Sequence, residues 1–351
     1  MKIGLVLPAL PGYSETFFRS KIRGLAAQEH EVILFIGNGK AVKTDLPCRV
    51  KVQAPVRSFP LLNGIRVLSA FVQSWLLQPQ ITQRYITLER QSGSGWATVL
   101  KRLYLNRHIL SERQLDWLHF GFATMALERE HVAKALGAKA AASFRGYDIS
   151  IYPLKHPGCY HLLWQKLDQV HTISDDLLQV AYQLGLPQSI PVQKITPAID
   201  TNYFQRMRPP KPFPVNRDRP LQLLTVGRLH WKKGLEYTLQ ALAMLKDCGI
   251  EFRYTLIGEG KEYERLVFAA HQLGIRTQVH FAGRVPHEQV KSYYGQADIY
   301  LQYSIQEGFC NAVLEAQAMG LWCIVSDAEG LPENVLHEQS GWVVPKRQPQ
   351  Q

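Results

Sequence analysis

The chain has 351 residues, a length that fits two domains, because domains typically contain about 100 to 200 residues. Hydrophobic residues make up 46% of it and charged residues 20%, which excludes an intrinsically disordered protein. Lys and Arg outnumber Asp and Glu by 40 to 29, a net charge of +11, which favours an anionic partner such as nucleic acid, anionic lipid or a phosphorylated substrate.

Short apolar runs alternate with amphipathic stretches through the first half of the chain, which indicates helices packed on a parallel sheet. Gly137 and Gly185 stand where helix C-caps are expected, after two of these amphipathic stretches. Strands are predicted at residues 3–8, 32–36, 117–120, 140–144, 170–173 and 192–196, and helices at residues 15–27, 61–77, 96–110, 124–136, 160–167 and 175–184.

A segment at residues 206–220 separates this half from a second one. It contains five prolines and no apolar period, so it is predicted to be an inter-domain linker. Two doubly wound α/β domains, residues 1–205 and 221–351, should then face a cleft, with ligands beyond the carboxyl ends of the strands. In the second domain, strands are predicted at residues 221–226, 253–257, 278–282, 299–303, 323–326 and 342–344, and helices at residues 235–247, 261–273, 287–296 and 311–319.

The positive charge is concentrated in the first domain. The first 203 residues contain 23 basic and 14 acidic residues, a net charge of +9. Residues 57–113 hold eight basic and two acidic residues beside the apolar stretches 61–77 and 96–110. This combination indicates either a patch that contacts an anionic membrane surface or a solvated face over an ordinary core.

Neither a membrane span nor a secretory signal is predicted. One of the two longest uncharged stretches, residues 67–83, is the more apolar, but it is interrupted by Gln73, Gln78, Pro79 and Gln80, and the start of the chain is predicted to be a buried strand. The five cysteines are odd in number and form no Cys-x-x-Cys pair, which argues against a disulfide framework and a zinc site. A reducing cytoplasm is therefore the expected location.

Two glutamates stand at a predicted strand-loop-helix junction of the second domain, Glu307 in the loop and Glu315 in the second turn of the helix. A carboxylate among the apolar residues of that helix needs hydrogen-bond donors, and the vicinal hydroxyls of a ribose or hexose supply two. Taken singly, Glu315 is a favourable charge near a helix N-terminus and Glu307 a solvated loop charge. The pair together predicts a sugar-binding site.

Arg228 and Lys233 lie between the first strand of the second domain and the helix that follows it. The guanidinium of Arg228 suits a phosphate, and at such a turn the backbone N–H groups and the helix dipole also favour an anion. The alternative is two surface cations that flank a turn. Because this fold binds phosphates at the strand-to-helix turn, we expect the two side chains to hold a diphosphate.

The order and spacing of these residues resemble the donor domain of the retaining GT-B glycosyltransferases of family 4, which use nucleotide-sugar donors. The resemblance is close in the second domain and looser in the first, where it is to the exopolysaccharide members. The motifs that carry it are Arg228 with Lys233, Gly258-Glu-Gly260, Phe281-Ala-Gly283, Glu307 with Glu315, Gly330-Leu-Pro-Glu333, Pro11-Gly-Tyr-Ser-Glu-Thr-Phe17, Gly24-Leu followed by His30-Glu-Val, and Phe144-Arg-Gly-Tyr-Asp148.

This resemblance implies two Rossmann-like domains and a role for several individual residues. Glu307 matches a glutamate at the donor sugar, and Glu315 matches the glutamate that binds the ribose. Arg228 and Lys233 match the residues that bind the diphosphate. His119, which follows a predicted strand, matches the active-site histidine at the donor sugar, although a lone histidine is more often a core or surface residue.

Three further residues are candidates, and two of them have simpler alternatives. Gly12 follows the first predicted strand, where a small residue lets the backbone approach phosphates, or it forms an ordinary Pro-Gly turn. Arg145 either contacts an anionic acceptor or caps the end of a strand. The helix N-terminus at Asn311 is expected to help Arg228 and Lys233 meet the charge of the departing diphosphate.

The expected activity is retaining transfer of a sugar from a nucleotide-sugar donor to a glycan or lipid-linked acceptor, in surface polysaccharide assembly, at the inner face of the plasma membrane. No cofactor and no nucleic acid are expected to take part. No metal ion is expected either, since the chain contains no Asp-x-Asp to anchor one.

Two alternatives stay open. The first alternative is a non-catalytic sugar-nucleotide-binding protein. Members of the family have further helices after the strand that matches residues 342–344, and this sequence does not include those helices. A dinucleotide oxidoreductase is the other, but the sequence lacks Gly-x-Gly-x-x-Gly after the first strand.

Overall fold

The computed structural model describes residues 1–12, 16–37, 44–55, 60–206 and 219–351. Within them the chain divides into two compact units, residues 1–195 and 196–351, each built on one parallel sheet. The predicted α/β class with two doubly wound domains is confirmed. Residues 207–218 of the predicted linker, and residues 13–15 of the motif after the first strand, lie outside the described residues.

The sheet of the first unit has seven strands in the order β3-β2-β1-β4-β5-β6-β7. Its central strands are apolar and buried on both faces, as parallel strands between two helix layers must be. The strands are β1 Lys2–Leu7, β2 Glu31–Ile36, β3 Arg49–Val52, β4 Trp117–Phe120, β5 Lys139–Phe144, β6 Gln169–Thr172 and β7 Val192–Lys194.

The helices of the first unit follow the predicted pattern with three differences, one of which is a short helix at 152–155 that was not predicted. The predicted helix at 124–136 is a 3₁₀ turn at Ala123–Ala126 and a separate short helix, because Glu128 between them has a φ of +63° that no α-helix contains. A helix at 79–91 was not predicted, since Pro79 reads as a breaker but occupies the first turn, where proline is tolerated. The helices are α1 Thr16–Ala27, α2 Pro60–Leu77, α3 Pro79–Gln91, α4 Trp96–Leu110, α5 Val132–Leu136, α6 Tyr152–Lys155, α7 His161–Trp164 and α8 Asp175–Gln183.

The second unit contains a six-stranded sheet in the order β10-β9-β8-β11-β12-β13. Every predicted strand and helix of this half is present, within two residues at each end. The strands are β8 Leu221–Val226, β9 Phe252–Ile257, β10 Val279–Gly283, β11 Ile299–Gln302, β12 Trp322–Ser326 and β13 Gly341–Val344, and the helices are α9 Leu235–Asp247, α10 Tyr263–Gln272, α11 His287–Gln296 and α12 Asn311–Ala318.

The second unit begins before the predicted linker. Phe204 is buried in its core, and the hydroxyl of Tyr203 donates to the carbonyl of Glu288 at 3.0 Å. These contacts attach residues 196–206 to the second unit, whereas the first predicted domain extended to residue 205.

The strand order of each sheet reverses at one place, between β1 and β4 in the first unit and between β8 and β11 in the second. Chains that leave the carboxyl ends of such neighbouring strands diverge, and ligands bind in the resulting crevice. Gly12 and His119 lie near the first of these positions, and Arg228 and Glu307 near the second. Among the helices in the described ranges, none is long and apolar enough to cross a membrane.

Candidate functional site

The turn that follows β8 is held in place by two glycines of the neighbouring loop. Gly227 donates its N–H to Ile257, and Leu229 donates to the carbonyl of Glu259 at 3.0 Å. A Cβ on Gly258 would lie 1.9 Å from the carbonyl oxygen of Gly227, and one on Gly260 would lie 2.1 Å from that of Leu229. The glycines of the Gly258-Glu-Gly260 motif are therefore needed because another backbone lies directly on them.

The same turn is joined on its other side to the loop after β11. The N–H of Ile305 donates to the carbonyl of Lys232 at 2.7 Å. Gly234 has a φ of +57°, and a Cβ there would lie 2.1 Å from the carbonyl oxygen of Tyr303. Through these backbone contacts, residues far apart in the chain are brought together at the carboxyl ends of β8 and β11.

Lys233 and Glu307 form an ion pair at this junction, between Nζ and Oε2. Both side chains are 17% exposed. Burial acts to lower the pKa of Lys233, but the Glu307 carboxylate outweighs it and holds that pKa above its usual value. Lys233 is therefore a permanent cation at neutral pH, and it already contacts the glutamate assigned to the donor sugar.

A series of hydrogen-bonded, buried polar side chains ends at the Glu307 carboxylate. The hydroxyl of Tyr300 donates to Gln302 Oε1 at 2.9 Å, Gln302 Nε2 donates to Ser304 Oγ at 2.8 Å, and Ser304 Oγ donates to Glu307 Oε2 at 3.3 Å. Each link satisfies a polar group that would otherwise be buried without a partner. This series holds the Glu307 carboxylate in one orientation.

Arg228 adds further positive charge to the turn. Its side chain is exposed, and with Lys232 and Lys233 it places three cations within six residues. Burial lowers the pKa of Lys232, and the neighbouring charges of Arg228 and Lys233 lower it further, against the opposing carboxylates of Glu307 and Glu329. The field of this turn therefore favours an anion.

Glu315 lies on α12, where the two oxygens of its carboxylate accept hydrogen bonds from separate side chains. Tyr294 donates to Oε2 at 2.9 Å, and His287 Nε2 lies 3.3 Å from Oε1. The hydrogen bond from His287 to Glu315 raises the pKa of that imidazole, although burial opposes it. An ionised carboxylate accepts about four hydrogen bonds, so both oxygens retain capacity for ligand hydroxyls.

Asn311 is the first residue of α12, directly after Cys310. Asn334 fixes this helix start, because its side chain accepts from the N–H of Cys310 and donates to its carbonyl, both at 3.1 Å. Asn311, Glu307 and Glu315 are thereby carried by one loop-helix segment.

His119, in the first unit, lies on β4 among other basic groups. Its Nε2 is 2.7 Å from Ser143 Oγ, and Lys21 Nζ lies 3.3 Å from both ring nitrogens. Burial, followed by the charge of Lys21, lowers the pKa of His119 well below its usual value. His119 is therefore a neutral imidazole at pH 7, able to donate from one nitrogen and accept at the other.

Arg145 follows β5 and packs on aromatic rings. Its guanidinium lies 4.1 Å from the ring centre of Phe17 and 4.8 Å from that of Phe18, a cation-π arrangement. The backbone N–H of Arg145 donates to the buried carboxylate of Asp148 at 3.0 Å. Its charge contributes to the lowered pKa of Lys21, which burial and then Arg145 bring to about 7.

Gly12 is exposed, and a Cβ added to it would meet no atom within 4 Å. Packing among the described residues therefore does not require glycine at this position.

Several residues of the two sites were not predicted from the sequence, namely Lys21, Ser143, His171, His287, Tyr294 and Ser304. A usable signal exists for two of them. Ser143 is the one polar residue in the predicted strand 140–144, and His171 is one of two polar residues, with Thr172, in the predicted strand 170–173. A polar residue in a strand buried on both faces needs a partner, and on adjacent parallel strands that partner is the neighbouring polar residue.

Comparison with known proteins identifies the family. Residues 208–351 match the family model described as "Glycosyl transferases group 1". WcaL of Escherichia coli K12, whose name assigns it to colanic acid biosynthesis as a glycosyltransferase, is 30% identical over 374 aligned residues, covering 99% of this chain and 87% of WcaL. The amylovoran biosynthesis glycosyltransferase AmsK of Erwinia amylovora is 32% identical over 241 residues, covering 65% of this chain and 57% of AmsK.

Solved structures show the same fold at lower identity. Sucrose-phosphate synthase of Thermosynechococcus elongatus superposes with a TM-score of 0.70 at 17% identity, covering 100% of this chain and 87% of that one. HepE of Anabaena, solved in complex with UDP-glucose, superposes with a TM-score of 0.68 at 15% identity, with the same coverage of 100% and 87%. The chain therefore has the GT-B fold and belongs to the group 1 glycosyltransferases.

Proposed function

We propose that this chain transfers a sugar from a nucleotide-sugar donor to a glycan or lipid-linked acceptor in the assembly of a surface polysaccharide. The observation that carries the proposal is the cationic turn after β8, where Lys233 is paired with Glu307. Within the second unit, a diphosphate would bind to Arg228, Lys233 and the α12 N-terminus, the ribose to Glu315 and the donor sugar to Glu307. For His119 of the first unit, the family resemblance implies a contact with the donor sugar. The names of WcaL and AmsK support an exopolysaccharide as the product.

Donor binding is the first test. The purified chain is heated with UDP-, GDP- and ADP-sugars in turn, and one base and sugar should raise the unfolding temperature most, because a ligand that binds only the native state stabilises it. The preferred donor is then incubated with lipid-linked acceptors, and release of nucleoside diphosphate is measured. If no nucleotide sugar shifts the unfolding temperature, the proposed function is wrong.

Turnover should survive EDTA, and the product should keep the anomeric configuration of the donor. As the bond to the diphosphate breaks, negative charge develops on the leaving oxygens, and the positive charges of Arg228 and Lys233 would stabilise it. Retention is proposed from the family resemblance. Activity is compared with EDTA and with added Mg²⁺, and NMR of the first-formed product reads the linkage. An inverted linkage would refute retention, and activity lost in EDTA and restored by Mg²⁺ would refute metal independence.

A lipid-linked acceptor requires the enzyme to reach a membrane surface, and α2 presents an apolar stripe suited to it. Ile65, Leu68, Val72 and Leu76 are 62%, 61%, 46% and 75% exposed and recur at the spacing of one helix face. Arg107 donates to Gln73 at 2.6 Å, and a second arginine donates to the carbonyl at the end of α2. We propose that this stripe binds the anionic cytoplasmic leaflet of the plasma membrane peripherally.

The chain should therefore pellet with anionic vesicles and be released as salt rises, since the attraction is screened over about 10 Å at 0.1 M. Leu68→Ser should reduce the pelleted fraction, because it removes apolar surface from the stripe. Phe268→Ser is the matched control, because Phe268 is equally exposed, at 61%, but lies on α10 of the second unit. Equal pelleting with neutral and anionic vesicles, or equal effects of the two variants, would contradict this assignment.

A further inference from the structure

Behind His119, a hydrogen-bonded series of side chains crosses three adjacent strands of the first sheet. Ser143 Oγ lies 2.7 Å from His119 Nε2 and 2.8 Å from His171 Nδ1. His171 Nε2 lies 3.2 Å from the carbonyl oxygen of Ile195. The strands β4, β5 and β6 are neighbours, and Ser143 is directly paired with His171, so the parallel register puts the three side chains on one face of the sheet.

The Ile195 carbonyl, at the end of this hydrogen-bonded series, determines the direction of every hydrogen bond in the series. The Ile195 carbonyl can only accept, so His171 must carry its proton on Nε2. Burial, followed by the charges of Lys21 and Arg145, lowers the pKa of His171 to about 4, so at pH 7 its Nδ1 has no proton and accepts. Ser143 therefore donates its hydroxyl proton to His171, and its oxygen accepts from His119.

The same reasoning assigns the protons of His119. Because Ser143 Oγ accepts, His119 Nε2 carries the proton, and Nδ1 is left with a lone pair. Lys21 Nζ lies 3.3 Å from Nδ1 and also 3.3 Å from Nε2, so it contacts the ring at both nitrogens and is not aligned with the Nδ1 lone pair alone. The basic groups around His119 are Lys21 from α1, Arg145 after β5 and the neutral His171 from β6. Burial first, and then the charges of Lys21 and Arg145, disfavour a second proton on the His119 ring.

We propose that Ser143 and His171 are positioning residues that hold His119 in its Nε2-protonated tautomer, so that His119 acts on its ligand as a hydrogen-bond acceptor through Nδ1. The inference rests on the proposed function for the role of His119 at the donor sugar. A sugar hydroxyl that reaches Nδ1 would donate its proton into the hydrogen bond. The site would then favour a sugar with a free hydroxyl at the contacted carbon.

The tautomer is measured by long-range ¹H-¹⁵N correlation NMR on the full chain labelled with ¹⁵N-histidine at pH 7, with His119→Gln to assign the signal. We expect the wild type to show the neutral Nε2-protonated pattern for His119. Ser143→Ala should convert it to a mixture of both tautomers and lower kcat/KM by about 10- to 100-fold, the range known for loss of the hydrogen-bond partner that orients a metal-bound histidine. Ser143→Thr, which keeps the hydroxyl, should restore the Nε2-protonated signal of His119 and the wild-type kcat/KM.

Ser92→Ala is the matched control, because it removes another serine-histidine hydrogen bond of 2.8 Å, to His131 Nε2, which is not part of the hydrogen-bonded series behind His119. It should leave the His119 signal unchanged. A wild-type His119 protonated on Nδ1, or a tautomer unaffected by Ser143→Ala, would overturn the inference. The NMR readout needs no donor, so it is independent of the proposed function, which fails instead if the wild type neither binds nucleotide sugars nor transfers sugar.

Discussion

Lys233→Met is expected to weaken nucleoside-diphosphate binding by about 10- to 150-fold, since a charge-assisted contact contributes about 1.5 to 3 kcal/mol. The loss has a second source, because Glu307 then keeps a partly buried negative charge without its partner at the diphosphate site. Arg228→Ala should produce a loss within the same range. Calorimetric titration with the preferred nucleoside diphosphate measures both.

The pairing in the structure allows the two sources to be separated. Glu307→Gln keeps Lys233 and removes the competing carboxylate, so diphosphate affinity should stay equal or rise while sugar transfer falls. The double variant Lys233→Met, Glu307→Gln should recover part of the affinity lost in Lys233→Met alone. Lys246→Met, on the exposed far end of α9, is the control. Unchanged affinity in both Lys233→Met and Arg228→Ala would show that the diphosphate binds elsewhere.

Gly258→Ala is expected to destabilise the second unit by about 3 kcal/mol, the upper end of the cost of overpacking or of backbone strain. The residue has a φ of +142°, and its new Cβ would lie 1.9 Å from the Gly227 carbonyl oxygen, so a rigid backbone must shift. For a unit of this size the unfolding temperature should fall by roughly 6 to 12 °C. The shift would also displace Arg228, and diphosphate affinity should fall with it.

Gly295→Ala is the matched control for this variant. Gly295 lies inside α11 of the same unit, and a Cβ there would meet only Met319 at 3.8 Å, an ordinary contact. Alanine should be neutral or stabilising at this position, because it lowers the entropy of the unfolded chain and favours the helix. If calorimetry shows equal unfolding temperatures for the two variants, the Gly227 carbonyl does not lie directly against Gly258.

Most strands were predictable because a parallel strand buried on both faces is a short, continuous apolar run. β3 was missed for the converse reason. It is an edge strand with the sequence Arg-Val-Lys-Val, and its Arg49 and Lys51 bind Glu112. These charged residues interrupt the continuous apolar run by which the other strands were predicted. The helix after Pro79 was missed because proline both ends and begins helices, and the local sequence does not distinguish the two.

The candidate residues of the second unit were also accessible from the sequence. Arg228, Lys233, Glu307 and Glu315 each lie at a strand end or a helix start, and such positions follow from local pattern. The ion pair between Lys233 and Glu307 could not be predicted from the sequence. Lys233 and Glu307 are 74 residues apart, and they meet because the strand order places β8 beside β11.

The sequence by itself determined the two α/β domains, the turns that carry the cations and glutamates, and His119 as a candidate. These features depend on local apolar periodicity and on residue types at strand ends. Only the tertiary structure decided which groups face one another: Lys233 with Glu307, and His119 with Lys21 and Ser143. The reason is that charge state and tautomer depend on burial and on neighbours from distant strands, and sheet order, which a single sequence does not encode locally, selects those neighbours.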